Sequence, residues 1–124
     1  MEEFEDLRGK ILEEIIGGVG VDEMYFITQD GEKYKMYHSQ DWCEKVDVVD
    51  IAGDLKDIIN SPILLAEEVV HENDNPEDVQ IPEFQDSFTW TFYKLSTIKG
   101  SVTIRWYGES NGYYSESVEF EKIE

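Results

Sequence analysis

The sequence predicts an α+β fold: a mainly antiparallel β-sheet of about six or seven strands with one or two short helices. Three observations predict it. Apolar and polar residues alternate through 88–93 and 102–107, the period of a half-buried strand. The turn dipeptides Asp30-Gly31 and Asn111-Gly112 join apolar runs, and sequential hairpins imply antiparallel pairing. Helical spacing is confined to a stretch near the N-terminus and another after Gly53.

In chain order, Phe4, Leu7, Ile11, Leu12, Ile15 and Ile16 recur at helical spacing. Either one helix runs 3–16, or a short helix 2–7 leads into a strand 10–16. Gly9 favours the second reading, because it stands where a short helix is capped. Over 23–38, a two-residue type I′ loop at Asp30-Gly31 pairs Gln29 with Glu32. Ile27 then faces Tyr34, and Tyr25 faces Met36, with all four on the core side. Residues 46–51 fit a short strand. Gly53 or Asp54 caps a two-turn helix to Asn60, and Pro62 blocks its continuation. A strand fits 63–70, although Glu67 and Glu68 sit inside it. Residues 72–87 carry two prolines and many turn formers, and read as one long acidic loop. Strands 88–93 and 102–107 follow, with a turn at 97–100. At the next turn a three-residue loop, Ser110-Asn111-Gly112, places Ile104 opposite Val118 and Val102 opposite Phe120. Gly112 is then left-handed, as a G1 bulge.

Length and charge bound the function. The 124 residues fit a single domain spanning 1–124, with its long acidic loop at 72–87. Twenty-nine acidic residues against ten basic ones give a net charge of −19. Such a surface repels nucleic-acid phosphates and anionic membranes, so neither is an expected partner. No apolar run approaches the ~18–20 residues of a membrane span. The lone cysteine excludes an intrachain disulfide, and a reducing cytoplasm is the expected location.

Four groups of residues are candidates for chemistry. His38, Asp41 and Cys43, followed by Glu44, contain metal-ligating and nucleophilic types. Zinc ordinarily takes four ligands, however, and the remaining His71, Glu72 and Asp74 show no recognised spacing. The structural reading of these residues is preferred: His38 ends a strand, Asp41 caps a turn and Cys43 packs as a small hydrophobe. Asn73-Asp74-Asn75 lacks the glycine and glutamate of a calcium hand loop. Glu72, Asp74, Glu77 and Asp78 form an acidic patch suited to a basic protein surface. Arg105, Tyr107, Asn111 and Tyr113 combine charge, aromatic faces and adaptable polar groups suited to a nucleotide-like ligand. No cofactor-binding or catalytic motif is present, so no cofactor is expected.

Two segments carry a resemblance. One is Asp30-Gly-Glu-Lys-Tyr34 with Tyr37-His38-Ser-Gln40-Asp41-Trp-Cys43-Glu44, extending through Asp50-Ile51 and Gly53-Asp54-Leu55 to Ser61-Pro62-Ile63. The other is Phe88-Thr-Trp90-Thr-Phe92-Tyr93-Lys-Leu95 with Ile98-Lys-Gly100 and 103–116, which includes Arg105-Trp106-Tyr107-Gly108. Together they resemble a small domain family of unknown function met in tailed-phage, prophage and bacterial genomes. Members often show two adjacent cysteines where this chain has Trp42-Cys43. The resemblance implies a phage or prophage setting and transfers no activity.

The expectation is therefore a non-enzymatic, phage-type binding or inhibitory protein in the host bacterial cytoplasm. Its partner is a host protein with a basic surface. One alternative is sequestration of a nucleotide-like signalling ligand. The other is a metal protein or enzyme using His38, Asp41 and Cys43.

Overall fold

A computed structural model describes residues 3–40, 44–75, 87–110 and 115–124. Among them are eight strands and two 3-10 turns, with no α-helix. The helical part of the α+β expectation is thereby corrected to a mainly antiparallel β-fold. The strands are β1 (Leu12–Ile16), β2 (Glu23–Thr28), β3 (Lys33–Tyr37), β4 (Lys45–Ala52), β5 (Leu65–Glu72), β6 (Ser87–Thr97), β7 (Gly100–Ser110) and β8 (Glu119–Lys122). Two four-stranded sheets form, in the orders β1-β2-β3-β8 and β4-β7-β6-β5. All pairings are antiparallel.

Both expected helices shrink to single 3-10 turns for local reasons. At the N-terminus the turn Phe4–Leu7 buries Phe4 and Leu7. The chain then straightens, because the Lys10 carbonyl accepts the Ile63 N–H and the Ile11 carbonyl accepts the Gln29 N–H instead of continuing a helix. The strand of the second alternative is present as Leu12–Ile16, and its helix 2–7 is replaced by the 3-10 turn. In the second turn, Leu55–Ile58, the Asp54 carboxylate accepts from the Lys56 N–H at 3.0 Å. Asn60 adopts φ 65° and donates its N–H to the Leu12 carbonyl, so the helix cannot extend.

The β2–β3 register differs from expectation by one residue. Met24 faces Met36, Phe26 faces Tyr34, and Tyr25 faces Lys35. The loop has three residues, Gln29 to Gly31, closed by Thr28 N–H to the Glu32 carbonyl at 2.9 Å. Gly31 takes φ +88°, which glycine adopts without a Cβ penalty. A one-residue slip exchanges the two faces of a strand. This register buries Met24, Phe26, Tyr34 and Met36, while Tyr25 and Ile27 face outward. Thr28 also goes inside, and its hydroxyl accepts from the Glu32 N–H at 3.1 Å.

The expected pairing of Ile104 with Val118 is also corrected. Strand β7 lies between β4 and β6, so Ile104 is opposite Ile51 and Tyr93. Strand β8 crosses to the other sheet and places Phe120 opposite Met36. Phe120 is useful there: it stacks on Tyr34 at 5.3 Å and meets Phe4 edge-on at 5.4 Å. The expected conformation of Gly112 lies outside the described residues.

One apolar cluster joins the inner faces of both sheets. Trp106 bridges them, donating its indole N–H to Met36 Sδ at 3.1 Å. Of β6, Tyr93 and Leu95 face this core, while Phe88, Trp90 and Phe92 lie on the outer face. No helix among the described residues is long and apolar enough to cross a membrane.

Candidate functional site

The inner face of the second sheet runs past the end of the apolar core. There the strands replace aliphatic side chains with polar ones: Glu68 and Glu72 on β5, Thr89 and Thr91 on β6. The segment 115–118 lies across them. Between these parts is a cavity of about 300 Å³. Three carboxylates (Glu68, Glu72, Glu116), five hydroxyls and the Asn73 amide line it, with Val70 and Val118. Among the described residues, no lysine, arginine or histidine lines it.

Glu116 is the best-fixed of these groups. It is buried, and its two carboxylate oxygens accept from Thr89 Oγ1 at 2.8 Å and Ser110 Oγ at 2.5 Å. Gly108 makes this seat possible. A Cβ there would come within 3.0 Å of the Glu116 backbone oxygen and 2.9 Å of Val46. Asn73 closes the rim by donating its N–H to the Phe88 carbonyl and accepting the Phe88 N–H on Oδ1 at 3.0 Å. The Tyr93 hydroxyl lies 3.5 Å from the Val118 carbonyl. Burial, and then the Glu68 carboxylate, push its phenol up, so it stays protonated.

His38, outside the cavity lining, fixes the segment 115–118. Its Nδ1 is 2.6 Å from the Ser117 carbonyl and its Nε2 is 2.9 Å from Glu44 Oε2. Gln40 donates to Glu44 Oε1 at 3.1 Å. His38 thus pins the segment carrying Glu116, and both its ring nitrogens are occupied. Asp41 and Cys43, expected beside it, lie outside the described residues.

The remaining candidates divide between two faces. Glu72 lines the cavity, whereas Asp74 is exposed and sits 3.5 Å from His71 Nδ1. Arg105 and Tyr107 occupy the outer face of β7, across the sheet from the cavity. Arg105 lies 3.5 Å from Asp50 and over the Phe92 ring; Tyr107 donates to Glu109 at 2.7 Å and packs on Trp90. Glu77, Asp78, Asn111 and Tyr113 lie outside the described residues. Sequence reasoning passed over Glu68, Thr89, Thr91 and Glu116. The signals were present: two glutamates inside a strand, and threonines on the side of β6 that also carries Tyr93 and Leu95.

Chemically the cavity offers hydrogen-bond acceptors and negative charge. It suits a group that donates hydrogen bonds and is positive, such as an ammonium or guanidinium. Among the described residues, no group of three or more His, Cys, Asp or Glu side chains is arranged to hold a metal ion.

The chain matches no curated protein and no solved structure. A family model for a domain of unknown function, DUF7448, matches residues 5–120, so the chain belongs to that domain family.

Proposed function

We propose that this chain is a non-enzymatic binding protein whose cavity takes a lysine or arginine side chain from a basic partner protein. The observation that carries this reading is a wall of three carboxylates and five hydroxyls, with no cationic side chain among its described lining residues. The net charge of −19 supports it by steering a basic surface toward the site. In the phage or prophage setting that the resemblance implies, the partner is a host protein and the consequence of binding is inhibition.

Calorimetric titration with short lysine- and arginine-containing peptides tests it. Binding should weaken with added salt. Glu72→Gln should weaken it strongly, and Asp74→Asn, away from the cavity, only slightly. Equal affinity for wild type and Glu72→Gln would remove the cavity from the account.

Two other readings use other groups. A nucleotide-like ligand would stack near Phe92 and Tyr107 beside Arg105, but Asp50 already faces that guanidinium and opposes an anion. The metal or enzyme reading depends on His38, Asp41 and Cys43. One zinc per chain by elemental analysis, lost in His38→Ala, would promote it.

A further inference from the structure

Among the described residues, strand β5 is an edge of the second sheet, paired only with β6. On an edge strand, alternate residues present their N–H and C=O groups away from the sheet. The other long edges are covered. Strand β1 gives its Leu12 carbonyl to Asn60 N–H and is continued by a bridge between Ile11 and Pro62. Strand β4 exchanges bonds at Val48 with Gly20 and Val21. Strand β8 is four residues long. Along the eight residues of β5, no backbone bond is made on the free edge among the described residues. The first 3-10 turn packs beside β5 without bonding its backbone.

We propose that β5 accepts an extended, basic segment of the partner as a further antiparallel or parallel strand. This rests on the function proposed above and specifies how the partner binds. Main-chain bonds supply affinity in such additions, and alternate side chains supply specificity. Charge selects the occupant. Glu68 and Glu72 mark one face of β5, on the cavity side, and Glu67 with His71 marks the other. An added strand alternates in the same way, so every second side chain falls beside Glu68 and Glu72, next to the cavity. Lysine or arginine there is favoured. A second copy of this chain is disfavoured, because it brings the same glutamates and its own charge of −19.

The test uses an oligolysine peptide as long as β5, so that lysines fall on both of its faces, with an oligoglutamate peptide as control. Amide hydrogen exchange on the intact protein is the readout. With the lysine peptide, exchange at alternate β5 amides should slow, while the β8 amides stay unchanged. The glutamate peptide should cause no slowing. Glu67→Lys, at an exposed position outside the cavity wall, should cut affinity by about tenfold or more through like-charge contact. Two results overturn the proposal. One is lysine-peptide binding that depends on Glu72 but leaves β5 exchange and Glu67→Lys affinity unchanged; the cavity reading then survives alone. The other is protection of β5 without peptide, accompanied by a dimer in sedimentation. Failure of every basic peptide to bind would sink both readings together.

Discussion

His38 and Glu44 form a buried pair, 2.9 Å apart, that ties the end of β3 to the start of β4. Their side chains are 2% and 0% exposed. The other imidazole nitrogen holds the Ser117 carbonyl, so one ring joins three segments from both sheets. His38→Ala removes the hydrogen-bond partner of Glu44 Oε2, while Gln40 still donates to Oε1. Leaving a buried polar atom without its hydrogen-bond partner costs about 1–3 kcal/mol. Denaturant unfolding should show this loss, with a smaller one for Glu44→Gln, which keeps an acceptor oxygen. His38→Ala should also weaken basic-peptide binding, because Ser117 and Glu116 share one segment of the cavity wall.

Gly53 and Gly18 should respond oppositely to alanine. Gly53 has φ +99°, and a Cβ there runs into the Ser101 carbonyl and the Val102 backbone. Gly18 has open space around its Cβ position. Gly53→Ala should destabilise by more than about 1 kcal/mol, and Gly18→Ala should be neutral or mildly stabilising. Thermal unfolding of the two variants side by side checks this.

Glu32 should contribute to the acid limit of stability. Hydrogen bonds from Lys10 at 2.7 Å and Lys122 at 2.9 Å hold its carboxyl below the usual range. A lowered folded pKa stabilises above the unfolded value, and that contribution is lost as pH falls through the folded one. Glu32→Gln should therefore destabilise at neutral pH, and its difference from wild type should shrink in acid. Denaturant midpoints measured across that range give the comparison.

Asp47 should behave with the opposite sign. Partial burial pushes its carboxyl up; Lys45 opposes the shift and Asp22 adds to it. A raised folded pKa penalises the ionised group above it, and the penalty vanishes below the unfolded value. Asp47→Asn should therefore stabilise the protein at neutral pH and change little in acid. A variant less stable than wild type at neutral pH would contradict this assignment.

The period of two in Phe88-Thr-Trp-Thr-Phe and Val102-Thr-Ile-Arg-Trp determined strands β6 and β7 by itself, because side-chain alternation is a local property of extended backbone. Charge also belonged to the sequence alone, and it set the expectation that phosphate and anionic-membrane surfaces are repelled. Local pattern did not decide registers. Asp30-Gly31 suits a two-residue loop, yet the loop has three residues, since packing Met24 and Phe26 against Met36 and Tyr34 outweighs the local turn preference. Nor did local pattern decide partners. Residues 119–122 look ready to fold back on β7, but Phe120 finds Tyr34 and Phe4 on the other sheet. The cavity required that choice: once the chain leaves for the first sheet, 115–118 spans the gap and lowers Glu116 onto Thr89 and Ser110. Glu68, Thr89 and Glu116 are each more than twenty residues from the next, so only the packed sheets bring them together.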